Sequence, residues 1–403
     1  PTADSTEMTD ESSFEERPPE ETDLASRHLG ATVLAASDES FGEKENLLNP
    51  APPNFEPGNY GNRGEIVDGW ETRRRREPGH DWVIVRLGAA GKITGIDVDT
   101  SFFTGNYPET CSVEACGVEG YPGVRPLQSQ ETGWTTLVPG SALTGGQHNV
   151  FSIADEQRFT HVRLSVFPDG GVARLRIFGR VLSDPRDFDG MTVDLVSERN
   201  GGYVSSCSDG YYSSPRQLIR PDEARVMGDG WETRRRRENG NDFVTFGLGI
   251  AGRPCQVVVD TSRFRYNASD SVALWGSNAD IPPPLGSGTW SPILSETKLE
   301  PDTRHVFRLG DTNTICWARL DAFPDGGLAR LRVIGDVDPA ARKKAGLRFF
   351  NSLPNSHAVS ILADSRVGPD AAVRLARRRP LTEGTDADLE SLAPLLYGRT
   401  RGE

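Results

Sequence analysis

The residues best suited to chemistry lie in one strongly charged segment. Residues 68–76 have the sequence DGWETRRRR, and an arginine guanidinium can hold a carboxylate through two parallel hydrogen bonds. His80 follows four residues later, and the charge of an imidazole changes near neutral pH. Acidic residues such as Glu71 and Asp81 flank the arginines. The segment therefore predicts either a site for a small anion with a proton donor beside it, or a structural network in which arginines and carboxylates neutralise one another.

The charged segment occurs twice because the chain contains an internal duplication. The sequence DGWETRRRR returns at residues 229–237, and FPDGG at residues 167–171 returns at residues 323–327. A period of about 160 residues is far too long for a solenoid repeat and indicates two copies of one domain. The predicted organisation begins with a disordered acidic tail (residues 1–22) and a first domain (residues 23–181). A linker (residues 182–193), a second domain (residues 194–338) and a C-terminal extension (residues 339–403) follow.

Each copy has the sequence pattern of β-strands. Residues 163–167 and 173–177 alternate polar and apolar side chains, and the turn sequence Pro-Asp-Gly-Gly lies between them. Many short strands joined by such turns are typical of an antiparallel sandwich or jelly roll. The end of the chain lacks this pattern and predicts short helices, at residues 358–363, 370–378 and 387–396. The predicted fold class is all-β, with two tandem jelly-roll β-sandwich domains and a short helical C-terminal tail.

Composition argues against several classes of protein. The net charge is −13 and the acidic excess is concentrated in the N-terminal tail, so no binding of nucleic acid is expected. No segment reaches the ~20 apolar residues that a membrane-spanning helix needs, and neither a membrane partner nor a secretory signal is expected. The five cysteines form no C-x-x-C pair, which favours a reducing, cytoplasmic location over a disulfide framework or a structural zinc site.

Differences between the two copies separate candidate site residues from candidate framework residues. A side chain present in both copies is expected to build the fold, whereas one found in a single copy is a candidate for a site. His80 is replaced by Asn241, and Glu39 and Lys44 fall where the second copy has Gly and Pro. The first copy also has its own loop at residues 105–108. These differences favour a site in the first copy, although a turn histidine bonded to a carbonyl and a solvated charged surface would give the same pattern.

Several long motifs in a fixed order resemble the allantoicase family. They are LGATVLAASDESFGEKENLL at residues 29–48, DGWETRRRR with GHDW, VDTSFFTGNYP at residues 98–108 and FPDGGVARLR at residues 167–176. The resemblance covers residues 23–338 and implies two domains of the galactose-binding-like jelly-roll type. It also implies a hydrolase of non-peptide carbon–nitrogen bonds that converts the small molecule allantoate to ureidoglycolate and urea in allantoin and purine degradation, as a homo-oligomer.

That resemblance implies three tasks for the site, because the reaction breaks a carbon–nitrogen bond beside a carboxylate. A cation must hold the carboxylate, an acid must protonate the departing urea nitrogen, and a base must accept a proton. The predicted catalytic residues are His80, Glu71, Asp81, Asp38 and Glu39. The predicted substrate-binding residues are Arg73, Arg74, Lys44, Asn106, Asp99, Asp169, Arg174 and Trp70. No metal ligand is predicted because the six histidines show no metal-binding spacing, and a requirement for a divalent metal stays open.

Two alternatives to an enzyme remain at this point. Galactose-binding-like sandwiches often hold ligands without catalysis, and a fold alone does not decide function, so a non-catalytic ligand-binding or scaffold protein is the competing hypothesis. The C-terminal tail has its own resemblance. FNSLP at residues 350–354, followed by helical sequence, is similar to the start of ureidoimidazoline decarboxylase. The tail is too short for that domain and lacks its histidine motif, so we expect a docking or vestigial helical segment.

Overall fold

The structure is a computed structural model that describes residues 17–62, 64–129, 131–284, 286–364, 367–382 and 392–398. Residues 1–16 of the predicted disordered tail (residues 1–22) lie outside the described residues. Order begins earlier than the sequence predicted, because Glu21–Asp23 forms a strand paired with residues 178–180. The Thr22 hydroxyl also donates to the Glu198 carboxylate at 2.6 Å. Contacts with distant parts of the chain order this segment, and its own composition gave no sign of them.

The first repeat, defined as residues 21–181, consists mainly of strands. Its strands are β1 (Glu21–Asp23), β2 (Thr32–Ala36), β3 (Tyr60–Gly61), β4 (Gly64–Glu65), β5 (Trp70–Glu71), β6 (Asp81–Asp99), β7 (Thr110–Cys116), β8 (Thr135–Ala142), β9 (His148–Ser152), β10 (Arg158–Phe167), β11 (Gly171–Val172) and β12 (Arg174–Val181). Its described residues also form the short helix α1 (Val124–Leu127) and two 3-10 helices (Arg27–Leu29 and Lys44–Leu48). The main sheet has the order β1-β12-β6-β10-β7-β8, and β2 and β9 also pair with β6.

The second repeat, defined as residues 192–337, has the same topology. Its strands are β13 (Thr192–Asp194), β14 (Tyr203–Cys207), β15 (Trp231–Glu232), β16 (Asp242–Asp260), β17 (Ser271–Ser277), β18 (Ser291–Lys298), β19 (Arg304–Arg308), β20 (Ile315–Phe323), β21 (Gly327–Leu328) and β22 (Arg330–Val337). The order β13-β22-β16-β20-β17-β18, with β14 and β19 paired to β16, repeats that of the first sheet strand for strand. Four further 3-10 helices of the described residues lie in the connection between the repeats and in the second repeat, at Pro185–Phe188, Glu198–Asn200, Pro215–Ile219 and Met227–Asp229.

The long strand β6 sets the geometry of the first repeat because it contributes to both layers of the sandwich. Residues 81–86 pair with β10 and residues 91–99 pair with β12, with a register shift in the β10 pairing between them. The strand therefore bends, and a core of fully buried side chains such as Trp70 and Phe159 fills the space between the layers. Asp81 and Asp99 consequently both lie at the end of the sandwich where the chain passes from β10 to β12.

Side-chain alternation gives the β6-β10-β7 sheet two different faces. Val83, Val85, Val162 and Leu164 belong to the core, so the residues between them lie on the opposite side. We call this side the outer face of the first repeat; it carries Trp82, Ile84 and Arg86 on β6, Ser112, Glu114 and Cys116 on β7, and His161, Arg163, Ser165 and Phe167 on β10. A smaller apolar cluster that includes Ile84, Leu127 and Trp134 packs against its middle.

The described C-terminal residues form helices, namely α2 (Pro339–Ser352), α3 (Asn355–Asp364), α4 (Pro369–Arg378) and α5 (Ala393–Tyr397). The helices predicted at 358–363 and 370–378 correspond to α3 and α4, whereas most of the one predicted at 387–396 lies outside the described residues. Helix α2 was not predicted. Its buried face includes Arg342, which pairs with Asp189 at 2.7 Å, so a charge interrupts the apolar stripe. None of the described helices combines the length and the apolar character needed to cross a membrane.

Candidate functional site

The loops that carry the predicted site residues meet at one end of the first repeat. Gly42 forms an isolated bridge with Glu71, and the Thr72 amide donates to the Gly170 carbonyl at 3.2 Å. The Asn106 side-chain amide donates to the Glu71 carboxylate at 2.8 Å. Burial raises the pKa of Glu71, and the hydrogen bond from Asn106 opposes that shift. The segments brought together are residues 38–44, 70–76, 80–82, 104–108 and 167–171.

A buried carboxylate organises the arginine run. Asp81 is 1% exposed, and its Oδ1 accepts from Arg75 Nη1 at 2.9 Å and from the Ser37 hydroxyl at 2.8 Å. The Arg75 amide donates to the Asp169 carboxylate at 2.7 Å. Strand β5 ends at Glu71, so the four arginines lie in an irregular segment and do not alternate across a sheet. Asp81 and Asp169 therefore fix the position of Arg75, as the structural-network interpretation predicts.

Asp38 anchors the first arginine of the run. Its carboxylate accepts from the Arg73 amide at 2.8 Å and from the Ser40 amide at 3.0 Å, and Arg73 Nε lies 3.4 Å from its second oxygen. Burial would raise the pKa of Asp38, but these hydrogen bonds outweigh it and hold the pKa below its usual range. The Arg73 side chain is 74% exposed, so a surface ion pair of this kind contributes little stability. Asp38 acts as a charged clamp for the loop.

Three predicted substrate-binding residues lie beneath the surface and hold the loops in place. Trp70 is fully buried, and its Nε1 donates to the Asp38 carbonyl at 2.8 Å. Arg174 is 1% exposed and forms a two-pronged ion pair with Asp68, with Nη2 2.6 Å from Oδ2. Asp99, also 1% exposed, accepts from the Ser101 amide at 2.8 Å. Because their polar atoms are engaged inside the protein, these side chains support the site and do not face it.

Glu39 and Lys44 lie beside the loops but form an ion pair of their own. Lys44 Nζ is 3.1 Å from one Glu39 carboxylate oxygen and 3.2 Å from the other. Arg74 is exposed to solvent. These three residues are not among those that line the cavity found at this end of the outer face, whereas His80 is.

The cavity beside His80 has a volume of about 860 Å³, and we call it the first-repeat cavity. The His80 ring packs against Phe167 with their centroids 4.8 Å apart, and Arg75 forms part of the wall. Arg163 pairs with Glu114 through Nε at 2.9 Å and Nη2 at 2.6 Å, and its guanidinium lies 4.6 Å from the Trp134 ring centroid. The remaining lining residues include Trp82, Ile84, Ser112, Gln128, Thr136 and Ser165. The cavity thus combines two guanidinium groups, an imidazole and a carboxylate.

The corresponding region of the second repeat contains no such set of groups. By strand register, Arg319 takes the place of Arg163, but Asp321 replaces Ser165 and Trp275 replaces Glu114. Asp321 Oδ1 lies 2.7 Å from Arg319 Nη2, and its Oδ2 accepts from Trp275 Nε1 at 2.8 Å. Asn241, the counterpart of His80, donates to Asp321 at 3.1 Å. An internal carboxylate therefore occupies the position where an external anion could bind Arg319.

The deeper contacts of the two ends are the same. The bonds of Arg75 to Asp81 and of Asn106 to Glu71 recur as Arg236 to Asp242 and Asn267 to Glu232. The bond from Trp70 to the Asp38 carbonyl recurs as one from Trp231 to the Asp209 carbonyl. Asn106 is thus part of a framework shared by both copies, although its loop looked specific to the first copy in the sequence. Of the predicted residues, only His80 lines the first-repeat cavity.

Sequence reasoning missed Glu114, Arg163 and Ser165, which lie in regular strands. The signal that could have found them was present, because Glu114 aligns with Trp275 and Ser165 aligns with Asp321 when the strands are superposed by register. The comparison of copies was applied only to loops, where sites are most often found. Among the described residues, no group of three or more His, Cys, Asp or Glu side chains could hold a metal ion.

Comparison with known proteins gives a consistent result over both repeats. The family model "Allantoicase repeat" matches residues 22–182 and 193–338. A probable allantoicase of Streptomyces coelicolor is 43% identical over 335 residues, which are 80% of this chain and 88% of that protein. One of Nocardia farcinica is 46% identical over 317 residues, or 78% and 94%. The crystal structure of allantoicase from Saccharomyces cerevisiae aligns with a TM-score of 0.68 and 32% identity, covering 81% of this chain and 98% of that one.

Proposed function

The chain belongs to the allantoicase family, and we propose that it hydrolyses allantoate to ureidoglycolate and urea, a step of purine degradation, in the first-repeat cavity. The match of both repeats to enzymes of this name disfavours a non-catalytic binding module. The contrast between the repeats supports placing the site in the first one. Arg163, Glu114 and His80 line an open cavity there, whereas in the second repeat Asp321 forms an ion pair with the guanidinium group of Arg319.

The substrate carboxylate binds to the arginines of this cavity. Glu114 accepts hydrogen bonds from Nε and Nη2 of Arg163. Among the described contacts Nη1 has no partner, so it can bind a ligand. Arg75 is held from behind by Asp81 and presents its guanidinium to the same space. Charge-assisted hydrogen bonds to a carboxylate are the strongest that side chains make, so these arginines fix the orientation of the acid. The ureido groups then lie toward His80 and Glu114.

Bond cleavage proceeds by elimination followed by addition of water. His80 donates a proton to the nitrogen of the departing ureido group as its bond to the central carbon breaks, and urea leaves. Glu114 accepts the N–H proton of the remaining ureido group, so that a carbon–nitrogen double bond forms. Water then adds to the central carbon, its proton returns to His80, and Glu114 gives its proton back to nitrogen. Each acid or base role is worth roughly 10²–10⁴ in rate.

The test is release of urea from allantoate by the purified protein. His80→Ala should lower kcat by about 10²–10⁴-fold because the leaving nitrogen loses its proton donor. Asn241→Ala, at the matching position of the second repeat, should leave kcat unchanged. Equal losses in both variants would contradict a single site in the first repeat, and no urea release by the wild-type protein would contradict the function itself.

Three further expectations belong to this proposal. The protein is a homo-oligomer, which sedimentation at several concentrations would test. Its location is cytoplasmic, in keeping with five free thiols; burial raises the pKa of Cys111 and Cys116 to about 12, so neither is a reactive thiolate. The two repeats fold as separate domains joined by the residues between β12 and β13, which limited proteolysis of that segment would test.

A further inference from the structure

A second cavity opens on the same outer face at the opposite end of the sandwich, where the first repeat meets the second. It has a volume of about 760 Å³, and we call it the junction cavity. Its walls come from β6 and β10, the segment at residues 118–121, the connection at residues 183–188 and the 3-10 helix that contains Arg199. The junction cavity shares none of its lining residues with the first-repeat cavity. A volume of this size suits a small metabolite.

One buried polar side chain of the junction cavity lacks a complete set of hydrogen bonds. His161 is 1% exposed and lines the cavity. Its Nδ1 lies 2.8 Å from the Thr160 hydroxyl, but its Nε2 has no hydrogen-bond partner among the described residues. Burial and the nearby Arg86 lower the pKa of His161 to about 4. A buried polar atom without a partner costs free energy, so a ligand that bonds to Nε2 would remove that cost.

Two cations of the junction cavity have no carboxylate partner among the described contacts. Arg158 pairs with Glu119 and Arg186 pairs with Asp184, each at 2.5 Å. Arg86 instead stacks on the Tyr121 ring, 5.0 Å from its centroid, and comes no closer than 3.4 Å to the Thr32 hydroxyl. Arg199 is exposed at the rim and has no ion pair in the described part of the chain.

One carboxylate of the cavity remains outside these pairs. Asp187 is exposed, and burial together with the neighbouring Asp184 and Glu119 raises the pKa of its carboxyl group. The groups outside these pairs are therefore two guanidinium groups, the Asp187 carboxylate and one imidazole nitrogen. The guanidinium groups outnumber the carboxylate, which suits an anion.

The second repeat again supplies an internal comparison. By strand register Gly247 takes the place of Arg86, and Trp317 takes the place of His161. The Tyr203 ring fills the space above Gly247, since a Cβ there would lie 2.4 Å from it, and it meets Trp317 edge to face with centroids 6.1 Å apart. The same position is thus packed with aromatic rings in one repeat and is open and cationic in the other. Packing alone does not require Arg86 and His161 at this place in the fold.

We propose that the junction cavity binds a small oxyanion, a carboxylate or a phosphate, between Arg86, Arg199 and the Nε2 of His161. This site is separate from the one assigned to allantoate, and it stands whether or not that assignment is correct. The proposed complex requires the tautomer in which the Thr160 hydroxyl turns from the carbonyls of Val118 (3.0 Å) and Cys116 (3.2 Å) and donates to Nδ1. Nε2 then carries the proton that the anion accepts. The two guanidinium groups supply the charge.

Calorimetric titration of the full chain tests the proposal with two probes, malonate and inorganic phosphate, at constant ionic strength set with sodium chloride. Saturable binding of either probe is the expected result, and the probe whose binding depends on Arg86 and Arg199 identifies the source of the oxyanion. Arg86→Gln combined with Arg199→Gln should weaken binding at least ten-fold, because both charges are lost. Arg253→Gln, an exposed arginine of the second repeat, is the matched control and should bind as the wild type does.

Variants at the two cavities decide which one holds the probe. Arg163→Gln should remove only probe bound in the first-repeat cavity, where Arg163 lies, and should retain the binding assigned to Arg86 and Arg199. Loss of all binding in Arg163→Gln, unchanged binding in the double arginine variant, or no saturation above the chloride background would each overturn the proposal. His161→Phe should weaken binding as well; should that variant unfold, Arg199→Gln alone, at the exposed rim, keeps the test valid.

Discussion

The outer faces of the two repeats carry different side chains on matching strands. In the first repeat, β10 presents His161, Arg163 and Ser165 to two cavities. In the second, Trp317 and Asp321 at the matching positions fill the space or neutralise the charge from within. Strand order and register are nevertheless the same. Duplication has therefore preserved the order and register of the main sheet, while side chains on its outer face have diverged.

The shared contacts explain why the framework at this end of each repeat is the same. The pairs Arg75–Asp81 and Arg236–Asp242 join the arginine run to the start of the long strand in each repeat. Removing one partner of a buried pair leaves an uncompensated charge and costs about 3–5 kcal/mol, so both copies are constrained to keep it. On the outer face, by contrast, a charged residue of one repeat can be replaced by an aromatic residue in the other, as Glu114 is by Trp275.

The largest difference between the repeats should appear on removing the outer-face arginine. Arg163→Leu should lower kcat/KM for urea release by about 10³–10⁴-fold, because the substrate carboxylate loses a charge-assisted partner and Glu114 loses its ion pair. Arg319→Leu is the matched variant in the second repeat and should retain activity. Similar losses in both would show that the second repeat also contributes a site.

The buried tryptophans should show that the framework is equivalent in the two repeats. Trp70→Ala and Trp231→Ala should each lower the free energy of unfolding by about 3–5 kcal/mol, because both indoles are fully buried and donate one hydrogen bond. Denaturant titration measures the loss. A much smaller effect in one repeat would indicate that its core relaxes around the missing ring, and the equivalence would fail.

The buried histidine of the junction cavity should give the first repeat a stability that depends on pH. The pKa of His161 is about 4 when folded against about 6.5 when unfolded, so below pH 6.5 the unfolded chain binds the proton first. The contribution of neutral His161 to the free energy of unfolding is complete above pH 6.5. About 3 kcal/mol of that free energy is lost as the pH falls toward 4.

His161→Phe, which has an aromatic ring as the second repeat does, should remove that part of the dependence. The variant matters because other groups titrate in the same range: burial raises the pKa of Asp194 to about 6, which acts in the opposite direction. Only the difference between wild type and variant isolates His161. Parallel curves of unfolding free energy against pH would contradict the assignment.

The smallest of these effects should come from copying one residue of the second repeat into the first. Ser165→Asp places a carboxylate two residues from Arg163, as Asp321 lies beside Arg319. It should compete with the substrate carboxylate and raise KM about ten-fold with little change in kcat, since the proton donors remain. Ser165→Asn has the same shape without the charge and should change KM much less; equal effects would point to steric hindrance.

The sequence predicted the scaffold well, because the duplication and the alternation of apolar residues are local signals. The all-β class and the tandem sandwiches followed from them. Helix α2 was not predicted because a buried ion pair with Asp189 lies on its inner face. A partner 153 residues away in the sequence leaves no local trace.

The candidate site was harder to predict because depth cannot be read from residue type. Arg73, Arg74, Arg75 and Arg174 are chemically alike, yet Arg174 is buried on Asp68 and Arg73 extends into solvent. Glu114 and Arg163 belong to alternating strands that looked like ordinary sheet. Only the register of β7 against β10 reveals that they are neighbours, and register is a property of the folded chain.

Within the seven residues 161–167, strand β10 contributes side chains from alternate positions to both cavities. A single inserted or deleted amino acid there would rotate every later side chain by half a turn of the pleat, sending Arg163 and Ser165 inward and Val162 and Leu164 outward. Natural variation in this stretch must therefore proceed by replacement at constant length. In an alignment of relatives, insertions and deletions should occur in the loops and be absent from residues 161–167, even where the amino acids at these positions differ.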